Sequence, residues 1–391
     1  MTEFLTRLLG RLPIGWLQLI HNRFRFAAAL AGVAFANILV LMQLGFQGAL
    51  ITSIRLPYDQ FDADLIISAS DMNTLQDSSP LPRQRMYEIL AIPGVAGASP
   101  LYLGKIDWRQ ADDTLRTLSV IGVDPMVRTF KTREIDAARD LLKLSDIAVI
   151  DSKTRNVARS LFETIGENTP MKFEARGRTL DVVGAFGIGG GFTDDGYLVV
   201  SDQTFLKLFP QRVSGAPNHI LVKLEPGVDR IDTMATLRGI LPAYDAVVQS
   251  IDGAVARDQS FQSTQKPVGL VFGFGAAIGV LVGIIIVYQV LSTDVADHIR
   301  EYATFKAMGY APAFFLSVIF EEALILALLG FVPGVLISLA LYKIVAITTD
   351  LPMEMTAPRA VAVMLGTLVA CTLSGTIATR KISKANPADL F

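Results

Sequence analysis

The sequence predicts an α-helical membrane protein with four transmembrane helices and a large α+β extracytoplasmic domain between spans 1 and 2. Three observations lead to this prediction. Hydrophobic residues make up 51% of the 391-residue chain, whereas charged residues make up only 18%. The apolar excess is concentrated in four blocks, each long enough to cross a hydrocarbon core, which needs roughly 20 helical residues. The long stretch between the first two blocks has the composition of an ordinary globular domain.

The block boundaries divide the chain into nine segments. The predicted spans are residues 26–53, 267–291, 313–342 and 359–380. The other segments are an interfacial helix (1–25), the extracytoplasmic domain (54–266), a coupling helix and loop (292–312), a short outer loop (343–358) and a tail (381–391). The second block contains no charged residue. Since a buried helix of a soluble protein rarely lacks charge over such a length, this block favours a membrane span over a soluble core.

Basic residues indicate the orientation of the spans. They flank the first and last blocks: Arg7, Arg11, Arg23, Arg25, Arg380, Lys381 and Lys384. By the positive-inside rule, both termini are expected in the cytoplasm and the large domain in the periplasm of a multi-pass inner-membrane protein. Trp16, Leu17, Ile20 and Phe24 recur at helical spacing, which predicts a helix lying on the inner leaflet. The apolar run that follows is too long for a cleaved signal peptide, so an uncleaved anchor is expected.

The middle domain alternates short β-like runs with short helical segments. Strands are predicted over residues 62–68, 99–108, 115–123, 147–150, 178–186, 197–200 and 219–224, and helices over residues 82–90 and 231–241. A split arrangement is expected, in which residues 127–215 are inserted between a first and a last part that pack together. The glycine run 187–191 and the acidic pair Asp194–Asp195 are interpreted as turns, because neither the helix of a phosphate-binding loop nor the spacing of an EF-hand follows them.

Several classes of function are disfavoured by the composition and by missing motifs. The net charge of −2 gives no sign of nucleic-acid binding. Cys371 is the only cysteine and the chain has three histidines far apart, so no metal site is expected. The chain lacks the G-x-x-x-x-G-K-[ST] loop of an ATPase, the G-x-S-x-G elbow and H-E-x-x-H. We therefore expect no enzymatic activity and no cofactor bound by this chain.

The segment between the second and third spans is the most informative. Ala296 to Met308 reads as a short amphipathic helix, Gly309 as its stop signal and Pro312 as the start of the next helix. Such a helix can dock in a groove on a nucleotide-binding subunit, and a solvated connector is the alternative interpretation.

Small and acidic residues inside the spans suggest helix contacts. Gly275, Gly279 and Gly283 lie on one face of the second span and are expected in a packing or dimer interface. Gly330, Pro333 and Gly334 are expected to kink the third span and to allow close packing. Because a carboxylate in a membrane is unfavourable, Glu321 and Glu322 are expected to face protein or water. A structural hydrogen bond across the dimer or to the coupling loop is the first interpretation, and proton-coupled transport is the second.

Several long segments of the sequence resemble one family of permeases. They include WLQLIHNRFRFAAALAGVAFANILVLMQLGFQGAL, GGFTDDGYLVVSDQTFLKLFP, DVADHIREYATFKAMGY, FEEALILALLGFVPGVLIS and ANPADLF. Together they resemble the FtsX-like, MacB-like permeases, and among these the DevC type of ABC exporter permease. The resemblance extends along nearly the whole chain. It implies a MacB-like type VII ABC architecture.

The resemblance also implies partners and a mechanism. It implies a homodimer in the lipid bilayer, a separate DevA-like ATPase that holds ATP and Mg, a DevB-like membrane-fusion adaptor of the HlyD type and, indirectly, a TolC-type outer-membrane channel. The residues expected to dock the ATPase are Asp297, His298, Arg300, Glu301, Tyr302, Lys306, Met308 and Gly309. A lipid-like or amphipathic cargo such as a glycolipid would be moved by motion transmitted to the periplasmic domain. Two alternatives remain open: a lipoprotein-releasing permease of the LolC/LolE type and an FtsX-like subunit that signals to a cell-wall hydrolase.

Overall fold

The structure is a computed structural model and describes residues 12–110, 113–167, 169–298, 304 and 308–384. The helices in these ranges are α1 (Ile14–His21), α2 (Arg23–Gln60), α3 (Gln84–Leu90), α4 (Arg133–Ala137), α5 (Arg139–Leu142), α6 (Ser160–Glu163), α7 (Asp202–Leu208), α8 (Arg230–Ile240), α9 (Ile251–Thr264), α10 (Pro267–Asp297), α11 (Pro312–Thr349) and α12 (Ala357–Lys384). The strands are β1 (Leu65–Ala69), β2 (Val95–Arg109), β3 (Leu115–Val123), β4 (Ile147–Asp151), β5 (Met171–Ala175), β6 (Arg178–Phe186), β7 (Gly196–Ser201), β8 (His219–Leu224) and β9 (Ala246–Ser250).

The described residues form two compact units. The helical unit takes its residues from Met1–Gly48, Leu270–Ile344 and Met353–Phe391. The α/β unit takes its residues from Ala49–Gly269 and Val345–Pro352. Each unit is described by itself below.

A mixed sheet of nine strands, in the order β5-β6-β4-β7-β3-β2-β8-β1-β9, forms the α/β unit. The pairs β3–β7 and β4–β6 are parallel, and the other neighbouring pairs are antiparallel. Strand β1 lies between β8 and β9, so the beginning and the end of the middle domain pair with each other. The residues between them in sequence supply β4 to β7, which extend the same sheet.

Two hydrophobic clusters stabilise the sheet. At the β9 end, Met86 and Ile89 of α3 and Leu237 of α8 pack on buried residues of β1 and β8. Toward the β5 end, the cluster is built around aromatic side chains, and the Trp108 and Phe173 rings lie 5.2 Å apart between centroids. Burying rings of this size contributes most of the packing energy of such a core.

In the helical unit, five helices meet in one apolar cluster. It contains buried residues of α1, α2, α10, α11 and α12: Leu19, Ala29, Val33, Val287, Leu291, Val295, Ile319, Ala323, Ile325, Leu326, Ala327 and Cys371. Four of the described helices are long and apolar enough to cross a membrane, by length and composition: α2, α10, α11 from Leu316 and α12 to Ile377. Large apolar side chains such as Phe274, Ile278 and Leu336 remain exposed on them, as expected of a surface that faces lipid.

All four membrane helices extend beyond the predicted spans, and α2 and α11 extend furthest. Helix α2 continues to Gln60, and within this extension Arg55 pairs with Asp59 one helical turn later at 3.1 Å. Helix α11 continues to Thr349, whose hydroxyl donates to the Val345 carbonyl at 2.7 Å. The hydropathy pattern underestimates both lengths because a helix can continue with polar residues after its apolar stretch ends.

Candidate functional site

The predicted coupling segment lies partly outside the described residues. Helix α10 ends at Asp297, and His298 follows in a turn. Four of the predicted docking residues lie outside the described ranges: Arg300, Glu301, Tyr302 and Lys306. Their role as a docking surface stays a prediction.

The far end of the segment has the geometry of a helix terminus. The Met308 N–H donates to the Thr304 carbonyl at 3.0 Å, which is the spacing of an α-helical bond. Gly309 has a φ of +90°, the left-handed conformation with which helices often end. Helix α11 then begins at Pro312, where the missing N–H is harmless.

Arg25 connects the start of this segment to the start of α2. Its guanidinium forms an ion pair with the Asp297 carboxylate. The Asn22 side chain accepts a hydrogen bond from the backbone N–H of Arg25 at 3.2 Å. This bond caps the N-terminus of α2, directly after the break between α1 and α2. The two side chains of the ion pair are 25% and 59% exposed, so the pair contributes at most about 1 kcal/mol. It therefore positions the two helices more than it stabilises them.

Glu321 binds the first turn of α1. Its Oε1 accepts the backbone N–H of Trp16 at 3.1 Å, and only 7% of the residue is exposed. Helix α1 begins after Pro13, which caps no N–H with its side chain. Since the first N–H groups of a helix lack partners within it, a carboxylate from another helix can satisfy one of them. Glu321 therefore contacts α1, which the sequence did not suggest, whereas a hydrogen bond across a dimer or to the coupling loop stays a prediction.

The neighbouring Glu322 is completely buried next to the same helix. A Cβ added at Gly15 would lie 2.8 Å from the Val318 carbonyl oxygen and 2.9 Å from Cγ of Glu322. Helix α1 can approach α11 this closely only because Gly15 has no side chain. Sequence reasoning missed the role of Gly15, although a glycine inside an apolar helix was the available signal.

The glycine face of α10 packs against α2 of the same chain. A Cβ at Gly275 would meet the Gln43 side chain at 2.5 Å, one at Gly279 would meet Val40 at 2.9 Å, and one at Gly283 would lie 3.1 Å from Ala36 Cβ. Small residues allow two membrane helices to approach closely. The contact seen is therefore one of packing within the chain, whereas a dimer interface stays a prediction.

Gly330 and Gly334 of α11 also face α2. Their added Cβ atoms would lie 2.7 Å from Val33 Cβ and 2.9 Å from Asn37 Cβ. Helix α11 continues through Pro333 between them. Asn37 is buried in this region, and its side-chain oxygen accepts the Thr367 hydroxyl of α12 at 2.5 Å. Helix α2 is thus the element that α10, α11 and α12 all contact.

In the α/β unit, the glycine-rich loop is held by a buried carboxylate. Asp151 at the end of β4 accepts the N–H groups of Lys153, Ile188 and Gly189 at 2.9, 3.1 and 2.7 Å. Burial raises the pKa of Asp151, and these three donors oppose that rise. The amides that a phosphate would need are therefore directed at Asp151, which agrees with the interpretation of this loop as a turn.

A second buried carboxylate, Asp258, joins three segments of the α/β unit. It accepts the Tyr58 hydroxyl at 3.1 Å, the Leu75 N–H at 2.9 Å and the Gln262 side-chain amide at 2.8 Å. Only 2% of Asp258 is exposed. The sequence offered no signal for it, because α9 reads as a polar segment before the second span.

Two family models match this chain. The model of the MacB-like periplasmic core domain matches residues 26–240, which is more than half of the chain. The chain belongs to the MacB-like, FtsX-like permease family. A second model, the FtsX-like permease C-terminal region, matches residues 273–387 of this permease. The predicted fold class, four spans with a large α+β domain between the first two, is thereby confirmed.

Two solved structures are similar to part of the chain. The periplasmic region of MacB from Actinobacillus actinomycetemcomitans is 13% identical over 53% of this chain and 96% of that chain, with a TM-score of 0.37. The extracellular domain of the noncanonic ABC-type transporter YknZ from Gram-positive bacteria is 15% identical over 48% of this chain and 98% of that chain, with a TM-score of 0.32. A search of curated proteins finds no significant match.

Family membership gives the coarse function. MacB-like, FtsX-like permeases are membrane components of ABC transporters, so the chain is a multi-pass transporter permease subunit. Membership also implies a partnership with an ABC ATPase.

Proposed function

We propose that the chain is the permease of a tripartite exporter of the DevC type. Two copies assemble with a DevA-like ATPase, a DevB-like membrane-fusion adaptor of the HlyD type and, through the adaptor, a TolC-type outer-membrane channel. ATP and Mg are held by the ATPase, and the permease carries its motion to the periplasmic domain. The observation that carries the proposal is the MacB-like periplasmic core domain over more than half of the chain.

Helix α2 is the proposed transmitter of motion. It is one helix of 38 residues, about 57 Å long at 1.5 Å per residue, and it supplies residues to both units. At its start, Arg25 binds Asp297, which is the last residue of α10 and lies in the coupling segment. A displacement of that segment by the ATPase would therefore act directly on α2, since a packed helix moves as a rigid element.

The proposed docking surface is the segment from Asp297 to Gly309. Its described end presents an exposed apolar side chain, Met308, which is 60% exposed and is followed by the half-exposed ring of Tyr310. Exposed apolar side chains next to charges are typical of a surface that binds a groove on a partner. The cargo proposed for this exporter is lipid-like or amphipathic.

Co-purification with an ATPase tests the proposal. We expect an ATPase to be recovered with the tagged permease from membranes solubilised in a mild detergent, and its activity to be measurable in the eluate. Arg300→Glu combined with Lys306→Glu reverses two charges in the docking segment and should remove most of that activity. Arg25→Ala should leave recovery intact but lower the substrate-stimulated rate, because it breaks a positioning contact.

Arg109→Glu is the matched control. Its side chain is 69% exposed in the α/β unit and pairs only with the exposed Asp113 four residues later among the described residues. It should change neither recovery nor activity. Recovery of no ATPase with the wild type in any mild detergent would contradict the export function, whereas equal recovery with the double variant would place the docking surface elsewhere.

A further inference from the structure

The α/β unit contains a cavity of about 470 Å³ that the proposed mechanism does not use. Four segments and two strand residues line it: the end of α2 from Leu50 to Pro57, the loop 74–77, the loop 191–194, the segment from Asp258 to Val268, Lys105 of β2 and Tyr197 of β7. In sequence these segments include the residues directly after the first span and directly before the second. The volume falls within the range of about 300–1,000 Å³ that is typical of small-molecule sites.

The walls of the cavity are fixed by buried polar contacts. Asp258 holds the loop 74–77 through the Leu75 N–H at 2.9 Å and holds α2 through the Tyr58 hydroxyl at 3.1 Å. The glycine-rich loop, which lines another part of the wall, is held by Asp151 and by Arg155, whose guanidinium donates to the Gly191 carbonyl at 2.6 Å. A cavity with walls held this way is preformed, so a ligand would not have to order them.

Much of the lining is apolar. Leu50 and Ile54 of α2 contribute buried side chains, and Phe192, Pro267 and Val268 complete this part of the wall. Apolar walls of this kind favour a hydrocarbon portion of a ligand.

One polar group in the cavity is a hydrogen-bond donor with unused capacity. Tyr197 lines the cavity, only 5% of it is exposed, and its hydroxyl has no hydrogen-bond partner among the described residues. Burial raises the pKa of the Tyr197 phenol, so it stays protonated and able to donate. A ligand that accepts a hydrogen bond from this hydroxyl would use a donor that the described residues leave unused.

Five charged residues line the cavity, and four of them form two ion pairs. The Lys105 ammonium lies 2.6 Å from the Asp194 carboxylate, and the Lys266 ammonium lies 3.9 Å from Asp77. Asp258 is surrounded by three donors. Because Asp258 is only 2% exposed, every exposed charge among these lining residues has an opposite charge beside it, which disfavours a cationic or an anionic head group.

We propose that this cavity binds an amphiphile whose head group is uncharged and rich in hydrogen-bond acceptors and donors, with Tyr197 contacting the head group and Ile54 contacting the chain. Only the further step, that this amphiphile is cargo, rests on the export function proposed above. Binding itself involves residues of the α/β unit alone.

Titration of the full-length permease in phosphatidylcholine nanodiscs tests the proposal. The probe is octyl glucoside, added below its critical micelle concentration and followed by calorimetry, with empty nanodiscs subtracted. Tyr197→Phe removes only the hydroxyl and should weaken binding about threefold to tenfold. Tyr244→Phe, a change at an 83% exposed tyrosine of the same unit, should leave binding unchanged. Octyl sulfate and octyltrimethylammonium carry the same chain on an anionic and a cationic head group and should bind at least about tenfold more weakly.

A labelling measurement locates the ligand independently. Thr193→Cys places a thiol at the exposed rim of the cavity, in a background where Cys371→Ser removes the natural cysteine. Octyl glucoside should slow its reaction with a maleimide, and octyltrimethylammonium should not. Equal affinity of wild type and Tyr197→Phe, or equal binding of the three amphiphiles, would overturn the proposal.

The two proposals fail separately. If no ATPase co-purifies but octyl glucoside binds as expected, the cavity is a ligand site in a protein of different function. If the ATPase is recovered and the probe does not bind, the export function stands and the cavity is not a site for this class of amphiphile.

Discussion

A single buried histidine should make the α/β unit sensitive to acid. His219 is 0% exposed; its Nδ1 lies 2.7 Å from the Ser68 hydroxyl and its Nε2 lies 2.9 Å from the Leu75 carbonyl oxygen. Because a carbonyl can only accept, Nε2 carries the proton and Nδ1 accepts from Ser68. A second proton would place a charge in the core, and burial accordingly lowers the pKa of His219 to about 4.

The direction of the pH effect on stability depends on whether the folded or the unfolded state binds the proton at higher pH. An unfolded chain protonates this histidine near its ordinary pKa of about 6.5, whereas the folded chain does so only near 4. The contribution to stability is therefore complete above about pH 6.5 and is lost as the pH falls toward 4. At 1.36 kcal/mol per pH unit the full loss is about 3 kcal/mol, of which about 2.5 kcal/mol is lost by pH 4.5.

Urea unfolding monitored by tryptophan fluorescence measures this loss. Trp108 is 8% exposed in the core of the α/β unit, and Trp16→Phe leaves it as the only tryptophan. The free energy of unfolding is compared at pH 7.5 and pH 4.5 for this background and for the same chain with His219→Gln. We expect the pH-dependent loss to be about 2.5 kcal/mol larger when the histidine is present.

The other titrating groups are present in both proteins, so their contributions to the loss of stability cancel in the difference. Burial raises the pKa of Asp258, so this residue acts in the opposite direction over part of the same range. It is present in both chains and drops out of the difference. An equal loss of stability in both chains would show that His219 does not titrate as its burial requires.

Three further changes test contacts inside the helical unit or inside the α/β unit. Gly279→Val should lower the melting temperature in detergent, since its Cβ would lie 2.9 Å from Val40, at a cost of about 1–3 kcal/mol, whereas Gly273→Val, whose Cβ meets nothing within 4 Å, should not. Glu321→Ala should destabilise α1 by about 1.5–3 kcal/mol and speed hydrogen exchange across it, because the N–H at its first turn loses a carboxylate; unchanged exchange would contradict this. Because burial raises the pKa of Asp258, the wild type should lose stability against urea as the pH rises from about 3.9 toward that raised pKa, and Asp258→Asn should remove this loss. Parallel profiles of unfolding free energy against pH for the two proteins would contradict this.

Local patterns in the sequence determined the class of the protein and many of its elements. The strands predicted over residues 115–123, 178–186 and 219–224 have the same bounds in the structure. The four membrane helices follow from apolar runs alone. These features are predictable because hydrophobic periodicity and turn residues act between near neighbours in the chain. Short or polar elements such as β5, β9 and α9 were missed, since they carry little of either signal.

Only the tertiary structure decided which residues meet. It places β1 between β8 and β9, assigns the Glu321 carboxylate to α1, directs the glycine face of α10 at α2 and buries Asp258 and His219. Each of these contacts joins residues far apart in sequence, and each depends on how whole helices and strands pack. Periodicity shows which face of an element is buried, whereas the identity of its partner is set by the global arrangement that satisfies all buried faces and polar groups at once.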